Sequence, residues 1–590
     1  MRSFERTMLI VAIVVLNCLP VSAAGEIDLK PMTGQQMPAV GALDSTAPER
    51  LPLIAWGGDV PTILANGNTS RTAAGSLFDR AGLSFELYRE DDFLQQVRDF
   101  RAGRTNYLRG TLGMILSAQE ALCDDPRTCP QIIYNMTRST GGDALVVKPG
   151  IDNVKGIKGK TIAMQLYGPH LELLVAMLGL EGLEPDDVNL VWYPDLFQVD
   201  RSSASPPQAF LKRNDIDAAF VIIPDALALT SGGTVGDGVT DGSVKGAKIL
   251  FTTETLSNVT YDVYAVRSDY ASAHPERIAA VTNALLRANE SVRELARRGQ
   301  GNDFRATFEK SAEILLDTPE AFEDMLGMYR EDATFQRWAG NVRFLTSPRG
   351  ELRNVTTVSR EIVEALNQLD LLRGTKVEVQ PYRHDWEALK ADLGEKFDIE
   401  APRFDAARVT QVAESMSRTG QLDESTLVNF SVSFEPQQME FPASSYAGEF
   451  DRVLDVMSTA GGAIVVIEGN SDPLEYLKQK YGKNKVGAEI WRQTLQAAEN
   501  LSRQRAEAVK RAVMDHARSR GVRVGFDGVT IVGNGVRKPL NGMCRWQYDG
   551  QTVVDPCRPE NEQEWAANRR VQFSIVVVKA EAVAFDPDDF

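Results

Sequence analysis

From about residue 50 to 395, short apolar runs alternate with segments of helical period, and this alternation constrains the fold most strongly. Leu53–Trp56, Leu83–Tyr88, Ile132–Thr137, Ala144–Val147, Thr161–Met164, Val188–Trp192, Ala218–Ile223 and Val263–Arg267 read as strands. Asp92–Ala102, Pro169–Leu178, Pro206–Arg213 and Pro275–Ala296 read as helices between them. Strand-helix alternation predicts α/β layering with parallel sheets. Ligands of such sheets sit beyond the carboxyl ends of the strands, near helix N-termini.

Several polar landmarks fall at those ends, and they supply candidate ligand contacts: Trp56, Gly57, Thr140, Gly141, Asp143, Tyr167, Asp225 and Asp262. Each also has a plainer reading. Trp56 and Tyr167 serve equally as packing residues, Asp143 as a cap on its Gly-rich turn, and Asp225 and Asp262 as backbone acceptors at a hinge. His170, near a helix start, reads as a surface or capping residue. It shows no partnered acid or nucleophile of the kind catalysis needs. The glycine-rich stretch Ser231–Gly246 reads as a flexible surface loop.

The first residues carry a different signal. Arg2 and Arg6 precede an apolar run, Met8–Val21, and the small residues Ser22-Ala23-Ala24, which together read as a secretory leader over 1–24. Beyond it lie four cysteines in two close pairs, Cys123 with Cys129 and Cys544 with Cys557, as expected for disulfides in an oxidising compartment. The four histidines, His170, His274, His384 and His516, are too scattered for a zinc site, and neither metal nor cofactor is expected. A formal net charge of −17 argues against nucleic acid or an anionic membrane surface as the main partner. Gly159-Lys160-Thr161 fails as a phosphate loop, because position 154 is Val and Thr161 begins a strand instead of following one. No nucleophile elbow and no His-Glu-x-x-His run is present, and nothing in the chain demands an enzyme.

Three blocks near the C-terminus stand apart. Ala463–Ile467 is an apolar strand that runs into Glu468-Gly469-Asn470-Ser471-Asp472. Leu501-Ser502-Arg503-Gln504-Arg505-Ala506 reads as a helix start, and Asn568-Arg569-Arg570 opens a last strand, Val571–Val578. Asp472 and Arg505 are then opposite charges at the ends of neighbouring elements, a pair suited to the ammonium and carboxylate of an amino acid. The order resembles the OmpA-like peptidoglycan-binding domain over roughly residues 428 to 582. That resemblance implies that Asp472 and Arg505 hold the diaminopimelate residue of the wall peptide, with Asn470 and Ser471 in place of the family's His-Thr. Arg570 joins them as a site candidate, although bracing the sheet is the stronger reading for Arg569 and Arg570. Between Asp472 and Arg505 the chain is longer than the family's, with helical runs near Leu474–Tyr481 and Val486–Leu495.

Asp152–Ala163, with its Val-Lys-Gly-Ile-Lys-Gly-Lys-Thr core, resembles the lead-in to the second lobe of type 2 periplasmic solute-binding proteins of the taurine, nitrate and thiamine-precursor group. Asp187–Val191 and Asn214–Ala219 resemble later strands of that group, and Ser268–Arg277 the helix after its crossover. The resemblance implies a bilobed solute-binding domain over 50–395 with a second lobe near 150–260, a linker over 396–427, and then the smaller α/β sandwich. It implies an unidentified small-molecule solute captured by hinge closure, an ABC-type permease as partner, and a periplasmic, wall-associated location. The alternative is an interaction protein whose bilobed part docks a protein partner.

Overall fold

The computed structural model describes residues 25–43, 47–197, 204–347, 353–393, 415–416, 426–459, 463–483, 485–522 and 529–577. The expected leader lies outside the described residues, as does the expected linker apart from Ser415, Met416 and its last two positions.

The chain is α/β, a two-lobed body followed by a smaller α/β sandwich. In the first lobe β1 (Glu49–Leu53) pairs in parallel with β2 (Phe85–Arg89), which leads into helix α1 (Phe93–Arg101). Beside them stands a sheet of β3 (Tyr107–Thr111), β4 (Pro130–Ser139), β10 (Tyr261–Arg267) and β11 (Ala333–Phe335), in the order β11-β4-β10-β3, with the short β12 (Gln380–Pro381) added in parallel to β4. Its β3/β10, β10/β4 and β4/β11 pairs are all antiparallel, which corrects the expectation of parallel sheets. The reason is connectivity: β4 and β10 carry the chain to and from the second lobe in opposite directions. The sequence reading also passes over β3, because Arg109 and Gly110 interrupt its apolar run.

The second lobe contains β5 (Asp143–Val147), β6 (Thr161–Gln165), β7 (Asn189–Tyr193), β8 (Ala218–Ile222) and β9 (Lys248–Thr252), in the order β7-β6-β8-β5-β9. Here β6 runs parallel to β7 and β8, while β5 is antiparallel to both its neighbours. Period-two alternation sends successive side chains of β5 to opposite faces. Leu145 and Val147 share a core with helix α2 (Leu171–Leu180), whereas Ala144 and Val146 share one with Ala209 and Phe210 of helix Pro206–Lys212. The glycine-rich stretch is knit around Asp237, whose carboxylate accepts from Val239 N, Thr240 N, Thr240 Oγ1 and Ser243 Oγ.

The C-terminal sandwich has β13 (Thr426–Ser433), β14 (Ala463–Gly469), β15 (Val529–Gly533) and β18 (Arg570–Val577), in the order β13-β18-β14-β15. Helices α3 (Ala447–Thr459) and α5 (Ala488–Ser519) pack on it: Val453, Leu454, Val509 and Val513 join Val465, Ile467, Phe573 and Ile575 in one core. Between them helix α4 (Leu474–Tyr481) packs against the hairpin β16 (Met543–Tyr548) and β17 (Gln551–Pro556). Lys480 reaches across this junction, 2.6 Å from Asp555 and amid the rings of Tyr476, Tyr481, Trp491 and Tyr548. Both expected disulfides are present, Cys123–Cys129 and Cys544–Cys557.

Candidate functional site

One helix expectation changes at the C-terminal site. Ser502 does not open a helix: α5 is continuous from Ala488, so Ser502 and Arg505 lie in its interior. Nothing between Leu495 and Leu501 breaks a helix, and the inserted segment therefore merges with the motif's own. Strand and helix meet closely. A side chain at Gly469 would put its Cβ 1.8 Å from the Ser502 carbonyl oxygen, so only glycine allows the strand end to abut α5 here. Ser502 Oγ accepts from Gly535 N at 3.0 Å, tying α5 to the loop after β15.

That junction sets Asp472. Its Oδ1 accepts from Leu474 N at 2.8 Å, and its Oδ2 lies 3.6 Å from Arg569 Nη1. Burial raises its carboxyl above the usual range, against the pull of the Leu474 N–H, Arg569 and Lys478. Arg505 is buried. It donates from Nε to Gln438 O at 2.8 Å and from Nη2 to Glu435 O at 3.1 Å, with its guanidinium over the Phe434 ring. Among the described residues no carboxylate forms an ion pair with it. Burial first, then the nearby charge of Arg569, push its pKa down to about 10.

Asp472 and Arg505 therefore do not bond one another, and Arg569 connects them. The Asn-Arg-Arg turn signals a strand start, but nothing local shows that its first arginine joins the pair. Asn470 and Ser471 are buried: Asn470 N donates to Arg570 O, and Ser471 Oγ to Ala498 O. Arg570 is buried against the sheet, 3.4 Å from Lys538 O. The result groups two guanidiniums, one of them buried, with one half-buried carboxylate, charges that match a zwitterion carrying an additional carboxylate.

In the two-lobed body most candidates meet partners of their own chain. Arg109 is fully buried between Asp59, with Nε 3.1 Å from both oxygens, and Asp262, 2.9 Å from Nη1. Asp262 also accepts from Thr137 Oγ1 at 2.8 Å. Burial lifts Asp59 to about 6 despite Arg109, and raises Asp262 as well. Trp56 Nε1 donates to Thr137 Oγ1 at 3.2 Å, and its ring lies on Gly142. Gly57 and Gly141 back onto Met328 and Glu331, and Thr140 N donates to Asp332 O at 2.8 Å. Asp225 lies half-buried in the first turn of helix Ile223–Leu229.

His170 corrects its sequence reading. It is buried, and its Nε2 lies 2.8 Å from Asp143 Oδ1, so a partnered acid exists. The order is wrong for nucleophile activation, however, because Ser139 Oγ bonds to Asp143 Oδ2 at 2.5 Å and not to the imidazole. Nearby, Glu172 of α2 points at Gly113 of the first lobe, and both its carboxyl oxygens are buried without a hydrogen bond in acceptable geometry.

A cleft of about 630 Å³ opens between the lobes. The first lobe lines it with Arg89, Asp91, Asp92 and Leu94, and the second with Gln165, Tyr167 and Pro194–Phe197. Of the predicted contacts, Tyr167 lines this cleft, in the left-handed region at φ 59°. Sequence reading misses its third wall, the residues Glu26 to Gln35 ahead of β1.

Two lobes joined by the crossings 140–142 and 253–260, with a cleft between them, make the periplasmic-binding-protein fold. No family model matches the chain. The taurine-binding periplasmic protein of Escherichia coli K12 is 27% identical over 181 residues, 30% of this chain and 50% of that protein. The chain thus matches half the length of this curated relative. Among solved structures, the alkanesulfonate-binding protein of Xanthomonas axonopodis pv. citri bound to MOPS aligns over 56% of this chain and 96% of its own, at 19% identity and a TM-score of 0.38. The peptidoglycan-associated lipoprotein of Burkholderia pseudomallei aligns over 25% of this chain and 88% of its own, at 20% identity and a TM-score of 0.16.

Proposed function

We propose that this protein is an exported, non-enzymatic receptor that captures a small solute between its two lobes and is held non-covalently to peptidoglycan by its C-terminal sandwich. The observation that carries the tether is Arg505, a buried guanidinium held by two backbone carbonyls and, among the described residues, paired with no carboxylate. A carboxylate arriving from outside completes it, and Asp472 with Arg569 receives the zwitterion of a diaminopimelate-type residue. Solute capture rests on the interlobe cleft, and an ABC-type permease is the partner that such a receptor serves. The domain limits follow the sequence reading: 50–395 for the receptor, 396–427 for the linker and 428–582 for the anchor.

Co-sedimentation with purified diaminopimelate-type cell wall tests the tether. Asp472→Ala and Arg505→Ala each abolish retention while the far-UV spectrum is preserved; retention by both variants overturns the tether. A thermal-shift screen of the full chain across amines, amino acids, sulfonates and oxyanions tests the cleft, since a bound solute stabilises by RT ln(1 + [L]/Kd). One observation favours a second reading, in which the lobes dock a protein. Trp56 lies on Gly142 and Glu172 on Gly113, so at these two points the chain's own side chains occupy the space between the lobes. Silence across the whole library favours that reading.

A further inference from the structure

The segment ahead of β1 spans both lobes. On the second lobe, Ile27 N donates to Trp192 O at 3.0 Å and forms a bridge beside the edge strand β7. Glu26 pairs with Arg213 at 2.9 Å, and the Tyr167 hydroxyl donates to Lys30 O while accepting from Gln35 Nε2. On the first lobe, Arg98 Nε donates to Gln36 O at 3.2 Å and Arg101 Nε to Pro38 O at 2.9 Å. Gly41 N donates to Arg101 O, and Arg267 Nη2 donates to Gly41 O at 3.1 Å. Met32 is buried in the core between these two sets.

The two halves are held unequally. The first-lobe half has three arginines on its carbonyls and a close interlock: a Cβ at Gly41 would fall 1.9 Å from Ala102 O, and one at Gly103 would fall 1.9 Å from Ala42 O. The second-lobe half, residues 25–31, has one backbone bond, one tyrosine hydroxyl, the approach of Gly25 to Ala204 and one ion pair whose side chains are 20% and 39% exposed, whereas Met32 is buried on the first-lobe side, where its turn packs against the helix Gln119–Leu122. Exposed ion pairs hold little. Hinge rotation about the crossings 140–142 and 253–260 pulls directly on this segment while both halves stay seated, because only Pro31 separates Lys30, held by Tyr167, from Met32, seated on the first lobe.

We propose that residues 25–41 are a built-in latch across the cleft. The 32–41 half stays fixed to the first lobe, and the 25–31 half leaves β7 and Tyr167, whose hydroxyl also gives up Gln35, to admit a solute. The releasing half supplies one wall of the closed site through Ile27, Asp28 and Lys30. This rests on reading the cleft as the solute site, but its test needs no solute.

Hydrogen exchange on the full chain, paired with small-angle scattering, decides it. Glu26→Ala removes the ion pair to Arg213, and Tyr167→Phe removes the hydroxyl that holds Lys30 and Gln35. In the wild type, the amide of Ile27 is protected by its bond to Trp192 O. In the double variant it exchanges at least tenfold faster, the amides of Gly41 and of α1 are unchanged, and the radius of gyration rises as the lobes open. Each single variant gives a smaller change of the same sign with α1 still protected, which separates release from misfolding. Rapid exchange of the Ile27 amide in the wild type overturns the latch, as does release of residues 25–31 with no change in scattering. A latch that fails while a solute still raises the melting temperature leaves the receptor standing; a solute screen that fails while the latch behaves as stated removes the receptor alone.

Discussion

Each half of this molecule buries an arginine, and the two are treated in opposite ways. Arg109 in the first lobe sits between two carboxylates of its own chain, which raise its pKa against the effect of burial. Among the described residues, Arg505 in the sandwich has only carbonyls, an aromatic face and a like charge as partners, and its pKa falls. A buried charge with counter-ions in its own chain is a structural part. One without them leaves electrostatic work for a partner to complete. Glu172 is a third case: it too lacks a counter-ion, but a carboxyl can keep its proton, and burial raises it to about 8.

The most severe way to break the comparison is Arg109→Met. It strands Asp59 and Asp262 in the core and is expected to cost about 3–5 kcal/mol, read from denaturant unfolding of the first transition. Loss below about 1 kcal/mol means that the pair is not structural. Gly469→Ala drives a methyl into the Ser502 carbonyl and is expected to cost about 1–3 kcal/mol in the sandwich transition, leaving the other transition in place.

Glu172→Gln sharpens the third case. Below its ordinary value of 4.5 the carboxyl is neutral both folded and unfolded, so burial carries no ionisation penalty. From there to about pH 8 the unfolded chain ionises while the folded one resists, and stability falls as pH rises. Thr111, Gly113 and Asp143 face this group, and Asp143 adds to the rise. The variant is therefore expected to melt like wild type at pH 4 and to be more stable at pH 6 by on the order of 2 kcal/mol. An equal difference at both pH values refutes the ionisation account. The smallest effect belongs to Arg505→Lys. It keeps the charge but loses the planar fork, and is expected to weaken wall retention about tenfold, or roughly 1.4 kcal/mol, with unfolding little changed.

Legibility followed range in the chain. The strand from Ala463, the helices Phe93–Arg101 and Pro206–Lys212 and the close cysteine pairs depend on neighbours within a few residues, and they read correctly within small end errors. Asp472 and Arg505 stood out because their motifs are local. Their relation did not, since Arg569 comes near them from the distant turn ahead of β18 and α5 absorbed the insertion without a break. The Asp143 partner of His170 was hidden for the same reason, being on a strand of the sheet that α2 covers.

By itself, then, the sequence determined the α/β alternation, the cysteine pairs and which carboxylate and arginine to watch at the C-terminus, because periodicity and short motifs act through local sterics and hydrogen bonding. Only the tertiary structure decided which buried charges find counter-ions, which strands run antiparallel through the hinge, and that residues 25–41 cross the cleft. Those outcomes depend on desolvation and on contacts between distant segments, and no window along the chain contains both partners.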